Sequence, residues 1–527
     1  MIRKKLSYLG FILFFLFLVG GLFFAMRGHV GNPSISELSS DAWRDNGPLE
    51  LSPERGRYGL MYSLVEDSSL TFSIPIARFI VPDLGIREDG KYASLFAPGV
   101  SFLVAPGYVL GKMVGMAQLG AYSIIGIIAI LNTLLLYGII RTLGANKLSA
   151  YIASTVFLFG SPAFAYAVNI YQHHVTVFCL LTSIFILIKF KKLYMISLVW
   201  FFYALSFVID YPNVYLMAPV ALAALGRILQ LSYKDKILKI NIKFLGVFTF
   251  LGVLLPAAFL VWYNTSAYGN PLQLAGTLKS VKALDAKGLP TDPIQTSETN
   301  PIVAPNNQTE DLEEKKSASG FFKSRNILRG YIVHFLGLDR GMIIFAPILL
   351  LGFVGMITSY KKGYPLYATM CGTIFITVLL YSMWGDPWGG WAFGSRYLIP
   401  AYAVLAIFLG LFLAEFKKYI LVMLVVSLVG SYSIAVNTLG AITSNRNPPK
   451  VEVLELEKIS NTRQRYSIDR NFELLNSNNS KSAFWQEIGH KHMNAKTFYY
   501  LLGGSIILIF IAMCVGEYEK KKLKFKK

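Results

Sequence analysis

The sequence predicts an all-α polytopic membrane protein of about twelve transmembrane helices, with outer-face loops that carry amphipathic helices. Three observations predict it. Of 527 residues, 54% are hydrophobic and only 15% charged, and the mean hydropathy is +0.50. A soluble domain is nearer 45–50% apolar and about 25% charged. The apolar residues come in blocks, many of the length that crosses a bilayer core. The basic residues gather in short runs at the ends of alternate blocks, as cytoplasmic loops require. That distribution also accounts for the formal net charge of +20 and argues against nucleic acid as the partner. Cys179, Cys371 and Cys514 each lie inside an apolar block, with neither CxxC spacing nor companion histidines, so neither a disulfide framework nor a zinc site is expected.

The first block, about Ser7 to Met26, follows Arg3-Lys4-Lys5. It exceeds a signal-peptide h-region and no small-x-small cleavage site follows, so it reads as an uncleaved anchor running outward. Further spans are expected near Tyr122–Ile140, Leu148–Ala167, Thr176–Ile188, Tyr194–Val208, Tyr215–Leu229 and Phe244–Trp262. The rest are expected near Met342–Thr358, Leu366–Met383, Leu398–Ala414, Ile420–Leu439 and Phe498–Val515. The basic runs at Arg141 and Lys147, Lys189 to Lys192, Lys234 to Lys243, Lys361-Lys362, Lys417-Lys418 and Lys520 to Lys527 then all fall inside, with both termini cytoplasmic. Leu95 to Met116 is interrupted by Pro98, Gly99, Pro106, Gly107 and Gly111 and carries Lys112, so it is expected to form a hairpin at the outer leaflet rather than a span.

The chain therefore divides into an anchor (1–26), a first outer loop with that hairpin (27–118), a helical bundle (119–263) and a long outer loop (264–340). A second bundle (341–440), a further outer loop (441–497) and a last helix with a basic tail (498–527) follow. Asp285 to Ser319, rich in Pro, Asn, Thr and Glu, is expected to be mobile. Almost no ionisable side chain lies within the spans, and Asp210 sits at an outer edge, which argues against an ion-coupled pump.

The first outer loop supplies candidate acids: Glu54 in Glu54-Arg55-Gly56-Arg57-Tyr58, then Asp83, and Asp89 in Glu88-Asp89-Gly90-Lys91-Tyr92. A carboxylate there can take a proton from an acceptor hydroxyl. A second constellation is Trp384-Gly385-Asp386-Pro387-Trp388-Gly389-Gly390-Trp391, closed by Gly394-Ser395-Arg396-Tyr397. An aromatic belt explains one or two tryptophans at a membrane end. Three, interleaved with glycines and closed by an arginine, suit a site where flat rings meet sugars and a planar guanidinium grips phosphate. His173-His174 and Asp339-Arg340-Gly341 share that face.

These residues resemble the GT-C glycosyltransferases, in particular the family of protein O-mannosyltransferases and aminoarabinose transferases. Glu54-Arg55-Gly56-Arg57-Tyr58 is similar to that family's Asp-Glu-x-Arg-Tyr-like motif in the first outer loop, with Glu54 where the family has its catalytic Asp and Arg55 where it has the second acid. The resemblance reaches to about Leu439. It implies an inverting transfer of a sugar from a polyprenyl-phosphate donor to a hydroxyl on an unknown glycan, lipid or protein, outside the plasma membrane. It implies Glu54 as base, with Asp89 and Asp83 as substitutes, and Arg396, Arg340 and Lys91 as donor-phosphate ligands. Arg57, Tyr58, His173, His174, Asp386, Trp388 and Trp391 are the expected substrate-binding residues. No metal or cofactor is expected, because a cationic clamp can stabilise a departing lipid phosphate. A lipid or polysaccharide transporter or flippase, and a non-enzymatic protein of envelope assembly, remain the alternatives.

Overall fold

The computed structural model describes residues 2–40, 47–234, 237–285, 289–291 and 320–525. Most of the segment expected to be mobile, Asp285 to Ser319, lies outside the described residues, as does the end of the basic tail. The described chain is predominantly helical. Six helices are long and apolar enough to cross a membrane: Tyr8–Ala25, Ala117–Thr142, Phe244–Tyr268, Arg396–Phe416, Ile420–Ile442 and Ala495–Tyr518. The other six apolar blocks fold as shorter or interrupted helices. At a rise of about 1.5 Å per residue these fall short of a bilayer core of about 30 Å. Leu148–Ala167, for example, becomes Lys147–Phe159 and Ala163–Ala167, broken at Gly160-Ser161-Pro162.

Position in the bundle follows side-chain environment. The span Arg396–Phe416 is 89% buried and forms the centre, whereas Phe244–Tyr268 is only 17% buried and turns its apolar surface outward, as a helix facing lipid does. Close crossings use small residues. A Cβ at Gly352 or Gly355 would meet the carbonyl oxygens of Leu405 or Phe408 at 2.6 and 2.2 Å, so the helix Leu350–Ser359 can lie directly on the central helix.

The segment Leu95 to Met116 departs from expectation. It is not a hairpin; Gly99–Met113 is one helix with Pro106 inside it, packed against Ala117–Thr142. A Cβ at Gly120 would sit 2.1 Å from the Gly107 oxygen, and one at Gly111 would meet Gly120 at 2.9 Å. The glycines are contact points between two backbones rather than breaks in one.

Short strands supplement the helices. Leu84–Ile86 pairs antiparallel with Tyr92–Ser94 and with Lys279–Val281, which ties the segment after Tyr268 to the one before Gly99. A second antiparallel pair, Leu229–Lys234 with Ile237–Ile242, occupies one of the basic loops.

The end of the bundle that holds Asp210, His173 and Arg396 is opposite the end with the basic loops: the helix His173–Lys189 begins at one and finishes at the other. At the first end, Arg27, fully buried, follows the helix Ile2–Ala25 and donates to the carbonyls of Gly440 (2.9 Å) and Ala441 (3.1 Å) and to Glu50 (3.1 Å). Glu50 in turn accepts from the Ser444 hydroxyl at 2.7 Å and the Asn445 N–H at 3.0 Å. Burial alone would raise the Glu50 carboxyl, but the charges of Lys481 and Arg27 with these hydrogen bonds hold it below its ordinary value.

Removing one partner of such a pair leaves a bare charge in a dry site. Glu50→Gln or Arg27→Met is expected to destabilise the fold by about 3–5 kcal/mol, read as a lower thermal midpoint in detergent. Because the Glu50 pKa is depressed, its contribution is present above the ordinary carboxylate range and is lost as pH falls through its folded value. The wild type should therefore lose stability on acidification more steeply than Glu50→Gln, and parallel pH curves would contradict this.

Candidate functional site

A cavity of about 430 Å³ opens at this end of the bundle, a size typical of small-ligand sites. Its charged and amide groups come from four places: Arg57 on the helix Ser52–Glu66, Gln172 at the start of the helix His173–Lys189, Asp210 after the helix Ile196–Ile209, and Arg396 at the start of the central helix. Aromatic rings, among them Phe96, Tyr171, Trp384 and Tyr397, make up much of the remaining wall.

The helix that carries Arg57 starts where Pro53 enters its first turn, a position that suits proline because that N–H has no helical partner. Arg57 donates to the Pro53 carbonyl at 2.9 Å and to Gln172 Oε1 at 2.7 Å. Its guanidinium lies 4.8 Å from the Phe96 ring centre and 5.6 Å from that of Tyr171. Arg396 reaches the same ring from another element, at 5.1 Å, lies 5.3 Å from Tyr397, and donates to the Gly389 carbonyl at 2.7 Å. Both side chains keep a buried Nε–H with no hydrogen-bond partner. Burial lowers the Arg57 guanidinium from its ordinary value, Asp210 opposes this, and Arg396 adds to it. Two guanidiniums held on one tyrosine ring with donors to spare have the chemistry that suits an anion.

Glu54 lies one turn before Arg57. It is fully buried, and neither carboxylate oxygen accepts a hydrogen bond from another side chain. Burial raises its carboxyl to about 8; Arg27 works against the shift and Glu50 with it. The side chain is not part of the cavity lining. Other buried polar atoms nearby also lack partners: the Tyr171 hydroxyl and His173 Nε2, whose ring stacks on Tyr171 at 5.8 Å and 12°. Buried polar atoms without partners also occur elsewhere in the core, so it is their position beside the cavity that sets these apart.

The remaining sequence-derived candidates are distributed more widely. Asp83 accepts from the Ser52 hydroxyl at 2.5 Å, at the start of the Glu54 helix. Asp89 is exposed on the turn between two strands, paired with Arg87 at 3.0 Å, and Lys91 is exposed beside it. Tyr58 packs edge-on to Tyr108 in the core. His174 is held by the Ala163 carbonyl at 2.8 Å and by Asn132. None of these lines the cavity.

Arg340 is buried and spends its donors on four carbonyls: Trp388 (3.2 Å), Gly390 (3.0 Å), Asn447 (2.8 Å) and Asp339 (2.9 Å). It pins the tryptophan–glycine loop and does not face the cavity. The loop's own residues explain much of its composition. Gly389, Gly390 and Gly394 have φ of 72°, 63° and 60°, a region side chains disfavour, and Asp386 accepts from the backbone N–H groups of Trp388 and Gly390. The Trp388 ring lies under Arg329, and the Trp391 indole N–H donates to Glu452. The loop reaches the cavity through Trp384 and holds Arg396 through the Gly389 carbonyl.

Sequence reasoning passed over Gln172, Tyr171 and the buried pair Arg27–Glu50, and noted Asp210 only for its position. Asp210 carried a readable signal, as a lone acid closing an apolar block; Gln172 carried none.

Fold and site together define a polytopic helical membrane protein with a buried cation pair facing a cavity at one end of its bundle. No protein-family model matches the chain, and no curated protein does. Among solved structures, the chain is similar to the crystal structure of ArnT from Cupriavidus metallidurans in the apo state, at 11% identity and a TM-score of 0.44 over 97% of this chain and 78% of that one.

Arg340→Ala should loosen the loop. Hydrogen bonds to a charged group contribute about 1.5–3 kcal/mol each in favourable cases, so the thermal midpoint should fall and protease should cut between Trp384 and Trp391 more readily. An unchanged midpoint and cleavage rate would contradict the pinning role.

Proposed function

We propose that the protein is a membrane glycosyltransferase that moves a sugar from a polyprenyl-phosphate donor to an acceptor hydroxyl at the outer surface of the membrane. The observation that carries this reading is the pair Arg57 and Arg396, both buried, both on the Tyr171 ring and both with an unused Nε–H beside the cavity. A lipid phosphate suits this pair, and the aromatic walls suit an isoprenoid and the faces of a sugar. Assigning the basic loops to the cytoplasm puts the cavity outside.

In this reading the acceptor oxygen attacks the anomeric carbon as the bond from that carbon to the phosphate oxygen breaks. The bond's electrons leave with the phosphate, which passes from a singly charged diester to a monoester of higher negative charge. Arg57 and Arg396 stabilise that growing charge more than they stabilise the ground state, which is the condition for catalysis. The acceptor's proton goes to Glu54, which stands one turn from Arg57 behind the cavity lining and which the acceptor hydroxyl must reach past that lining. A single displacement inverts the anomeric centre. Asp83 and Asp89 take no part, since each already has a protein partner away from the cavity.

Transfer of labelled sugar from a polyprenyl-phosphate donor in nanodiscs tests the reading. Glu54→Gln should bind donor but lose about 10²–10⁴ in rate, the usual range for removal of a general base. Glu54→Asp should keep part of the activity, and Asp83→Asn and Asp89→Asn nearly all. A base held protonated up to about 8 must ionise to work, so the wild-type rate should rise as pH approaches 8. Wild-type turnover by Glu54→Gln would remove Glu54 from the chemistry.

Donor affinity should fall further in Arg396→Ala than in Arg396→Lys, because an ammonium keeps the charge but loses the planar fork. Equal donor affinity for the wild type and Arg396→Ala would remove Arg396 from the site.

A further inference from the structure

Asp210 is the one carboxylate among the described residues that line the cavity. Its place is set by backbone: its N–H closes the helix Ile196–Ile209 on the Ser206 carbonyl at 3.0 Å, and its own carbonyl accepts from Asn213 at 3.0 Å. Oδ2 accepts from Gln172 Nε2 at 3.1 Å, while Gln172 Oε1 accepts from Arg57 at 2.7 Å. Gln172 therefore stands between acid and guanidinium, with both ends of its amide used in the only sense that donors and acceptors allow.

That insertion bears on function. Were Asp210 only the counter-charge of Arg57, a direct bidentate pair would serve better and would consume both groups. The glutamine spacer keeps the two charges apart. It leaves Arg57 Nε without a partner, and Asp210 Oδ1 accepts no hydrogen bond among the described residues. A ligand that fits carries an anion for the two guanidiniums and, next to it, hydrogen-bond donors for a carboxylate. A sugar linked to phosphate has that pattern, through hydroxyl groups or through an amino group.

We propose that Asp210 is the sugar-recognition residue of the cavity: its free carboxylate oxygen accepts hydrogen bonds from the saccharide carried on the lipid phosphate and so sets which donor is used. This rests on the polyprenyl-phosphate reading above and adds the residue that distinguishes one donor from another.

The test is equilibrium binding to the full-length protein in nanodiscs with three probes: undecaprenyl phosphate alone, the same lipid bearing a neutral hexose, and the same lipid bearing an amino pentose. The wild type should bind at least one sugar-bearing lipid about 10- to 100-fold more tightly than the bare phosphate, the size expected of hydrogen bonds to a charged acceptor. Preference for the hexose points to hydroxyl contacts and preference for the amino pentose to an ammonium contact. Asp210→Asn should lose most of that margin while holding the bare phosphate as the wild type does, whereas Arg57→Ala should weaken all three. Asp210→Glu, which keeps the charge but moves it, should alter the preference between sugars and serves if the asparagine variant folds poorly. Equal weakening of bare and sugar-bearing lipids by Asp210→Asn would make Asp210 a mere counter-charge and overturn the inference. So would unchanged binding of every probe, or a wild type with no preference for either sugar. Failure of the wild type to bind undecaprenyl phosphate at all would instead overturn the donor reading.

Discussion

The buried pair of Arg27 and Glu50 is the constraint on which the cavity end of the molecule depends. Arg27 follows the first membrane helix, and its guanidinium covers the carbonyls of Gly440 and Ala441, the negative end of the helix Ile420–Ile442. Glu50 returns that charge and fixes Ser444 and Asn445. Three segments far apart in sequence are thus locked together within the reach of two side chains. Four residues after Glu50 stands Glu54, and one turn later Arg57, so the geometry of the candidate site is anchored at this pair. The two glutamates have opposite fates although their surroundings are shared. Glu50 is paired and held ionised; Glu54 has no ion pair and is pushed toward its neutral form.

The same logic separates the arginines. Arg27 and Arg340 are saturated by carbonyls and a carboxylate, and they act as pins. Arg57 and Arg396 each keep an unmet donor and share a tyrosine ring beside a cavity. Burying a cation without full compensation is expensive, and two adjacent ones more so. The fold tolerates this where stacking on aromatic rings and a nearby acid offset part of the cost, and a bound anion would supply the rest. Asp210, kept from direct pairing by Gln172, fits the same scheme of charges held ready rather than neutralised.

Much of the architecture was legible because hydropathy is a property of the chain itself: each expected apolar block lies on helix, and the basic runs mark one end of the bundle. What was misread depended on neighbours. Pro106, Gly107 and Gly111 look like breakers in one dimension, yet the two glycines, four apart, form the small-residue face that lets two backbones meet at Gly120. The glycines after Trp388 counted in the sequence as part of a candidate sugar site, but their positive φ angles and the Asp386 hydrogen bonds show that the turn itself requires them. Arg340 and Arg396 carry equal weight in the sequence, and only their tertiary partners tell a pin from a ligand candidate. Glu54 and Arg396 stood out through the motifs around them. Gln172 did not, since a neutral polar residue beside two histidines has no pattern of its own.

The central claim is that the Arg57–Arg396 pair holds a lipid phosphate. Electron cryo-microscopy of the protein in nanodiscs with undecaprenyl phosphate tests this most directly. The account predicts phosphate density within about 3 Å of both guanidiniums, the range of charge-assisted hydrogen bonds, with the isoprenoid chain leaving the cavity toward the bilayer. Phosphate bound elsewhere, at Lys91 or in the basic loops of the opposite end, with the cavity empty, would contradict it.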